Sequence, residues 1–274
     1  MALTVGTGPF GRHPAGTFNF IYDAPEHVLY FEDSPRRVRV VVGNTVVAET
    51  SRAKLLHETG LMPVYYFPEA DVELEVLIQT SHSTHCPFKG DARYWTVRIG
   101  DDQRDNVVWS YPQPLSGAPD LAGYLAFAWH AMDEWWEEAE RIFVHPRDPY
   151  HRCDVVRSDR HVIVEVGGDV IADSHQPTML FETGLPARFY LPESDIAMDQ
   201  LELTDTVTHC PYKGATGRYY TVISGGERVQ DAAWAYDAPK AEVAAIAGLV
   251  TFYNEKVDLV VDGERWERPR TKFS

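Results

Sequence analysis

The chain has 274 residues, of which 44% are hydrophobic and 24% charged, a composition typical of a globular protein rather than a disordered one. The formal net charge of −16 argues against a DNA or RNA partner, which needs a basic face, and against an anionic membrane surface. Three widely spaced cysteines do not indicate a disulfide framework.

The N-terminal residues, MALTVGTGPFGRHP, have no basic segment followed by an apolar run, so we predict no secretory signal. No segment approaches the roughly 18–20 apolar residues that a membrane helix needs. Together with the few cysteines, this predicts a cytoplasmic protein without a membrane partner.

The strongest pattern in the sequence is an internal duplication with a constant offset of 124 residues. The paired segments are Val38–Glu49 with Val162–Asp173, Leu55–Asp71 with Met179–Asp195, and Thr84–Gly90 with Thr208–Gly214. After a one-residue insertion, RYWTV pairs with RYYTV, WSYPQP with WAYDAP, and AGYLAF with AGLVTF. The period far exceeds the roughly 20–50 residues of a solenoid repeat, so each copy is the size of a domain.

The duplication sets the predicted domain boundaries. We expect an N-terminal arm over residues 1–19, a first β domain over 20–141, a linker over 142–149 and a second β domain over 150–270. The linker region contains two prolines, Pro146 and Pro149, which end regular structure.

Each copy opens with two valine-rich runs around a turn, Gly-Asn-Thr in the first and Gly-Gly-Asp in the second, which predicts a β-hairpin. Short aromatic strands that end at proline follow (VYYFP and RFYLP), and then alternating strands (RYWTVRIG and RYYTVISG). About seven or eight short strands per copy predict a mainly β protein with two homologous compact domains in tandem, each a barrel, a sandwich or a folded sheet.

The segment Trp129–Phe143 has helix-forming composition, whereas the aligned segment of the second copy (NEKVDLVVDGERW) has strand composition. Because aligned copies share a fold, we predict a turn and a strand here, with a short helix allowed after Glu137.

The motif T-H-C-P-[F/Y]-K-G occurs once in each copy. Proline ends strand pairing and glycine permits a turn, so His and Cys should end a strand and Lys should lie in a tight loop. Strand neighbours point to opposite faces, so only one of His and Cys can face a given pocket. The candidate catalytic residues are His85, Cys86, Lys89, His209, Cys210 and Lys213.

A nucleophilic cysteine needs a pKa lowered by His or Lys; the alternative is a small buried apolar cysteine. Candidate ligand-binding residues surround the motif in both copies. They are Glu58, Tyr66, Arg93, Trp109, Tyr111, Glu182, Tyr190, Arg218, Trp234 and Tyr236. The glutamates can act as bases or anchors or be solvated turn residues, the lysine–arginine pairs can hold a small anion, and the aromatic residues can line a pocket or form core.

The cysteine and histidine spacing lacks the paired ligands of a structural zinc site, so we predict no metal and no cofactor.

Taken together, the hairpin with V-A-[D/E], the E-T-G-L turn, Y-x-P-E-x-D, the T-H-C-P motif, W-x-Y and A-G-x-x-x-F resemble the bacterial and fungal family called domain of unknown function 427. The resemblance covers both halves and implies small all-β, β-tent-like domains in tandem, with no established reaction. The family also carries a nucleotidyltransferase-like label. The clustered acidic residues that would hold Mg²⁺ against a triphosphate are absent from the repeated motifs.

Three hypotheses follow. The first is a small-molecule-binding protein with a pocket at the T-H-C-P loop of each copy. The others are a cofactor-independent enzyme that uses Cys, His or Lys, and a structural or protein-interaction module. The copies differ near the motif, since Val64 of the first faces Arg188 of the second, so two pockets need not be equivalent.

Overall fold

A computed structural model describes residues 3–6, 8–19 and 26–271. The chain divides into two compact units, Met1–Tyr150 and His151–Ser274. The predicted start of the first domain, at residue 20, lies outside the described residues. Among the described residues, no helix is long and apolar enough to cross a membrane.

The first unit is built almost entirely of strands, with short 3-10 helices at Glu69–Asp71, Leu74–Val76 and Trp129–Ala131. Its strands are β1 (Leu29–Asp33), β2 (Val38–Val42), β3 (Thr45–Thr50), β4 (Lys54–Glu58), β5 (Val64–Pro68), β6 (Leu77–Cys86), β7 (Gly90–Ile99), β8 (Asp102–Ser110), β9 (Tyr124–Phe127), β10 (Glu134–Glu137) and β11 (Glu140–Ile142).

The second unit repeats this plan, with 3-10 helices at Glu193–Asp195, Met198–Gln200 and Ala241–Ile246. Its strands are β12 (Cys153–Arg157), β13 (Val162–Val166), β14 (Asp169–Ser174), β15 (Thr178–Glu182), β16 (Arg188–Leu191), β17 (Leu201–Thr204), β18 (His209–Cys210), β19 (Gly214–Ala215), β20 (Arg218–Ser224), β21 (Glu227–Ala235), β22 (Val250–Phe252), β23 (Asp258–Val261) and β24 (Glu264–Trp266).

The two units share one sheet topology. The first has a seven-stranded sheet in the order β1-β4-β5-β9-β8-β7-β6 and a four-stranded sheet in the order β11-β10-β2-β3. The second has the matching orders β12-β15-β16-β22-β21-β20-β17 and β14-β13-β23-β24, and a separate β18-β19 ribbon. Within the described strands the sheets are open and do not close into barrels. The mainly β class and the tandem duplication are therefore confirmed.

Strand alternation gives the seven-stranded sheet two buried faces. On β5, Tyr65 and Phe67 pack into the core between the two sheets of the first unit. Tyr66, between them in sequence, lies on the opposite face, where Leu56 and Tyr111 join it in a second cluster. The candidate site of this unit lies on that second face.

The segment with helix-forming composition is a hairpin. β10 pairs with both β2 and β11, and it buries Trp135 in the core between the sheets. The short helix allowed after Glu137 is wrong: Glu138 turns the chain with a φ of +53°, and β11 follows. The apolar side chains of this segment are needed for sheet packing, and this outweighs its helix propensity.

Candidate functional site

An ion pair links the two repeated motifs of the first unit. Glu58 ends β4, and Lys89 lies in the loop between β6 and β7 and donates from Nζ to Glu58 Oε2. Both residues are buried, with 7% and 8% exposure. Gly90 has a φ of +103°, and a Cβ there would lie 3.2 Å from the carbonyl oxygen of Gln113, so this turn requires glycine.

His27 completes this arrangement. Its Nε2 lies 2.9 Å from Oε1 of Glu58, and its ring stacks on Phe88 at a centroid distance of 3.8 Å and an angle of 6°. The backbone N–H of Val28 donates to Thr59 Oγ1 at 2.9 Å. The E-T-G turn thus fixes the backbone beside the histidine, while the aromatic residue of the T-H-C-P motif packs on its ring.

The second unit builds the same arrangement. Lys213 donates to Oε2 of Glu182, His151 Nε2 lies 3.0 Å from Oε1, and the His151 ring stacks on Tyr212 at 3.8 Å. Sequence reasoning missed both histidines. The signal was present, because the offset of 124 residues that relates the motifs also relates His27 to His151.

Burial and charge oppose each other in the second ion pair. Burial disfavours the Glu182 carboxylate, but the His151 hydrogen bond and the Lys213 charge outweigh it and lower the pKa of Glu182 to about 2. Burial likewise opposes the Lys213 charge, yet the attraction of Glu182 prevails and raises the pKa of Lys213. Burial raises the pKa of the Cys153 thiol to about 12, so that thiol is protonated at neutral pH.

A cavity of about 330 Å³ adjoins the ion pair of the first unit. Its lining combines apolar, aromatic and polar side chains: Leu56, Glu58, Leu61, Met62, Val64, Tyr66, Lys89, Tyr94, Asn106, Trp109 and Tyr111. Trp109 Nε1 donates to the Tyr66 hydroxyl at 3.4 Å. Burial raises the pKa of both Tyr66 and Tyr111, so their hydroxyls stay protonated.

The structure brings together five of the predicted residues of the first copy around this cavity, namely Glu58, Tyr66, Lys89, Trp109 and Tyr111. Three others lie elsewhere. His85 has a side chain 65% exposed, with Nδ1 2.6 Å from Asp91 Oδ1. Cys86 packs against the apolar cluster on the site face, and Arg93 is exposed on β7. Strand alternation accounts for the separation of His85 from Cys86.

The same residues of the second unit are mostly covered. Tyr190, Trp234 and Tyr236 are buried in one cluster. Arg218 pairs with Glu193 and Asp237 and is therefore already neutralised. His209 is exposed on β18, and Cys210 is half-buried.

Eight of the eleven cavity-lining positions carry the same residue in both copies. The exceptions are Met62, Val64 and Asn106, which align with Pro186, Arg188 and Asp231.

Arg188 is only 5% exposed and forms a bidentate pair with Glu255, at 2.7 and 2.8 Å. Its guanidinium lies 5.8 Å from the ring centroid of Trp234 and 5.5 Å from that of Tyr253.

Tyr253 also packs against Trp234, with the two ring centroids 4.2 Å apart. Its hydroxyl lies 2.9 Å from that of Tyr219, and it aligns with Ala128 of the first copy. Trp234 is buried, whereas its counterpart Trp109 is half-buried. Arg188 and Tyr253 therefore both pack against Trp234, the residue that aligns with the cavity-lining Trp109 of the first unit.

Within the described residues, two groups place possible metal-ligand atoms within 4.8 Å of one another. They are His151, Cys153 and Glu182, and His161, Asp173 and His175. In the first, both Glu182 oxygens already accept hydrogen bonds, and the Lys213 ammonium disfavours a second cation. In the second, His161 Nε2 lies 2.7 Å from Asp173 Oδ1, and the two imidazole rings stack face to face at 4.0 Å.

Comparison with known proteins agrees with the duplicated architecture. The family model described as "Domain of unknown function (DUF427)" matches twice, over residues 30–138 and 154–263. Each match covers most of one structural unit. A search of curated proteins finds no match. The chain therefore belongs to the DUF427 family, as a member with two such domains in tandem.

Proposed function

We propose that the first domain binds a small organic molecule in the cavity beside the Glu58–Lys89 ion pair. The observation that carries this proposal is the cavity itself, whose volume of about 330 Å³ is at the lower end of the range for ligand pockets, about 300–1,000 Å³. Its walls are mainly apolar and aromatic with a few convergent polar groups, which is the usual composition of such sites.

The lining suggests how a ligand would be held. An apolar or aromatic body would pack against Trp109 and Tyr66, and a polar group would contact the ion pair or the amide of Asn106. A simple anion is less well supported as the ligand. Lys89 already donates to Glu58, and Arg93 does not line the cavity.

The second domain would act mainly as a scaffold under this proposal. Arg188 and Tyr253 stand where the first domain has Val64 and Ala128, and they take up the equivalent space. We therefore expect one ligand per chain rather than two.

A fragment screen with ¹⁵N-labelled protein tests the proposal through the indole N–H signals of the seven tryptophans. The variants Trp109→Phe and Trp234→Phe assign the two signals that matter. We expect binders to shift the Trp109 signal and to leave the Trp234 signal in place.

Two matched variants sharpen the result. Val64→Phe fills the cavity and should abolish the shifts, whereas Val64→Ile keeps most of the volume and should preserve them. The proposal fails if no fragment moves the Trp109 signal, or if Val64→Phe binds the same fragments as the unaltered protein.

A further inference from the structure

In the second domain, an arginine side chain lies against the tryptophan that corresponds to a cavity wall of the first domain. The Arg188 guanidinium lies over Trp234, which aligns with Trp109 of the open cavity. This position therefore accommodates a planar positive group against an indole face, a favourable electrostatic contact.

The first domain also places a cation over an aromatic ring, on another wall of the cavity. The Lys89 ammonium lies 5.6 Å from the ring centroid of Tyr111. Because Lys89 is paired with Glu58, the two side chains together add no net charge to the cavity. The faces of Trp109, Tyr66 and Tyr94 are also part of the lining, and the chain as a whole carries a charge of −16, which attracts cations.

The two domains differ in the counter-ion. Glu255 neutralises Arg188, but the aligned residue of the first domain is His130. A cation in the first cavity would therefore depend on the aromatic faces, because His27 and Lys89 already occupy both oxygens of Glu58. Such contacts give selectivity for a cation over an isosteric neutral molecule rather than very tight binding.

We propose that the ligand of the first domain carries a planar cationic group, an amidinium or a guanidinium, that lies over the Trp109 ring as Arg188 lies over that of Trp234 in the second domain. This inference rests on the proposed function and names the chemical class of its ligand. The rest of the ligand would pack against Leu56, Leu61 and Met62.

Three probes of nearly equal size test the charge preference: benzamidine (cationic), benzamide (neutral) and benzoate (anionic). Each is titrated into the full-length protein while the Trp109 indole signal is followed. We expect benzamidine to bind about tenfold more tightly than benzamide, as a desolvated cation–π contact predicts, and benzoate to bind most weakly.

A matched pair of variants locates the contact. Trp109→Phe keeps an aromatic ring but weakens the cation–π attraction, so the preference for benzamidine, measured by calorimetry because this variant lacks the indole signal, should fall about threefold. Trp234→Phe should leave the preference unchanged, since Arg188 already occupies that ring.

The possible failures can be told apart. Equal binding of benzamidine and benzamide, or tighter binding of benzoate, overturns the cationic class while the cavity remains a binding site. If fragments of the screen shift the Trp109 signal but benzamidine does not, the cationic class is likewise overturned. If neither the fragments nor the three probes shift it, the proposed function itself fails.

Discussion

The two domains share the order of their main sheets, the buried ion pair and the stacked histidine, but they differ in what lies beside these groups: a cavity of about 330 Å³ in the first and the buried Arg188 in the second. Two alignment positions contribute to this difference. Val64 lines the cavity of the first domain, whereas the aligned Arg188 lies over Trp234, and Tyr253, in place of Ala128, packs against the same ring.

The residues that the two domains share belong to the framework of the fold. The glutamate, the lysine and the histidine are arranged alike in both domains, so they first of all hold together the E-T-G turn, the T-H-C-P loop and the segment before the first strand of each domain. The neighbouring positions, such as Val64 and the aligned Arg188, differ between the domains without disturbing this framework.

Breaking the arginine pair of the second domain should have the largest effect. Arg188→Leu leaves the Glu255 carboxylate, whose side chain is 0% exposed, without its main partner, so we expect a loss of about 3–5 kcal/mol in unfolding free energy, measured in urea. The double variant Arg188→Leu/Glu255→Gln should recover much of this loss. An equal loss in both variants would mean that packing rather than charge is responsible.

The next effect is a dependence on pH. The pKa of Glu182 lies at about 2 in the folded protein, below its ordinary value of 4.5. The second domain should therefore keep this stabilisation above pH 4.5 and lose about 3 kcal/mol as the pH falls toward 2.

Glu182→Gln should flatten this part of the stability profile, whereas Glu264→Gln, at an exposed strand position, should leave it unchanged. Urea unfolding between pH 2 and 7 provides the measurement. A Glu182→Gln profile as steep as that of the unaltered protein would contradict the assignment.

The smallest loss of stability is expected when the glycine of either T-H-C-P loop is replaced by alanine. Gly90 and Gly214 have φ values of +103° and +99°, so alanine at either position should cost about 1–3 kcal/mol. A Cβ at Gly90 would lie 3.2 Å from a backbone oxygen, but at Gly214 the nearest atom is 3.6 Å away. Urea midpoints should therefore fall further for Gly90→Ala than for Gly214→Ala, and the reverse order would show that the two loops relax differently.

The repeated motifs were enough to predict the duplication and the β class, and they singled out the glutamates and lysines as candidate site residues without predicting that they form ion pairs. Motifs at a constant offset must occupy equivalent places, so Glu58 corresponds to Glu182 and Lys89 to Lys213. His27 was missed because it precedes the first matched segment and has no recognisable motif around it.

Other features depended on packing that the sequence does not reveal. The exposure of His85 follows from the direction in which a strand residue points, and periodicity leaves open which neighbour faces inward. The exchange of Val64 for Arg188 was visible, but its effect depends on Glu255 and Tyr253, which approach from a distant part of the chain. The hairpin at Glu134–Ile142 formed against its helix-like composition because pairing with β2 buries Trp135.

The alternation along β5 has an evolutionary consequence. Tyr65 and Phe67 hold the sheets together, while Tyr66 and Val64 point to the other face, so a substitution at position 64 can reshape the cavity and leave the core between the sheets intact. After a gene duplication, one copy of such a domain can drift toward a closed, self-sufficient form while its sibling keeps an open site, and both continue to fold.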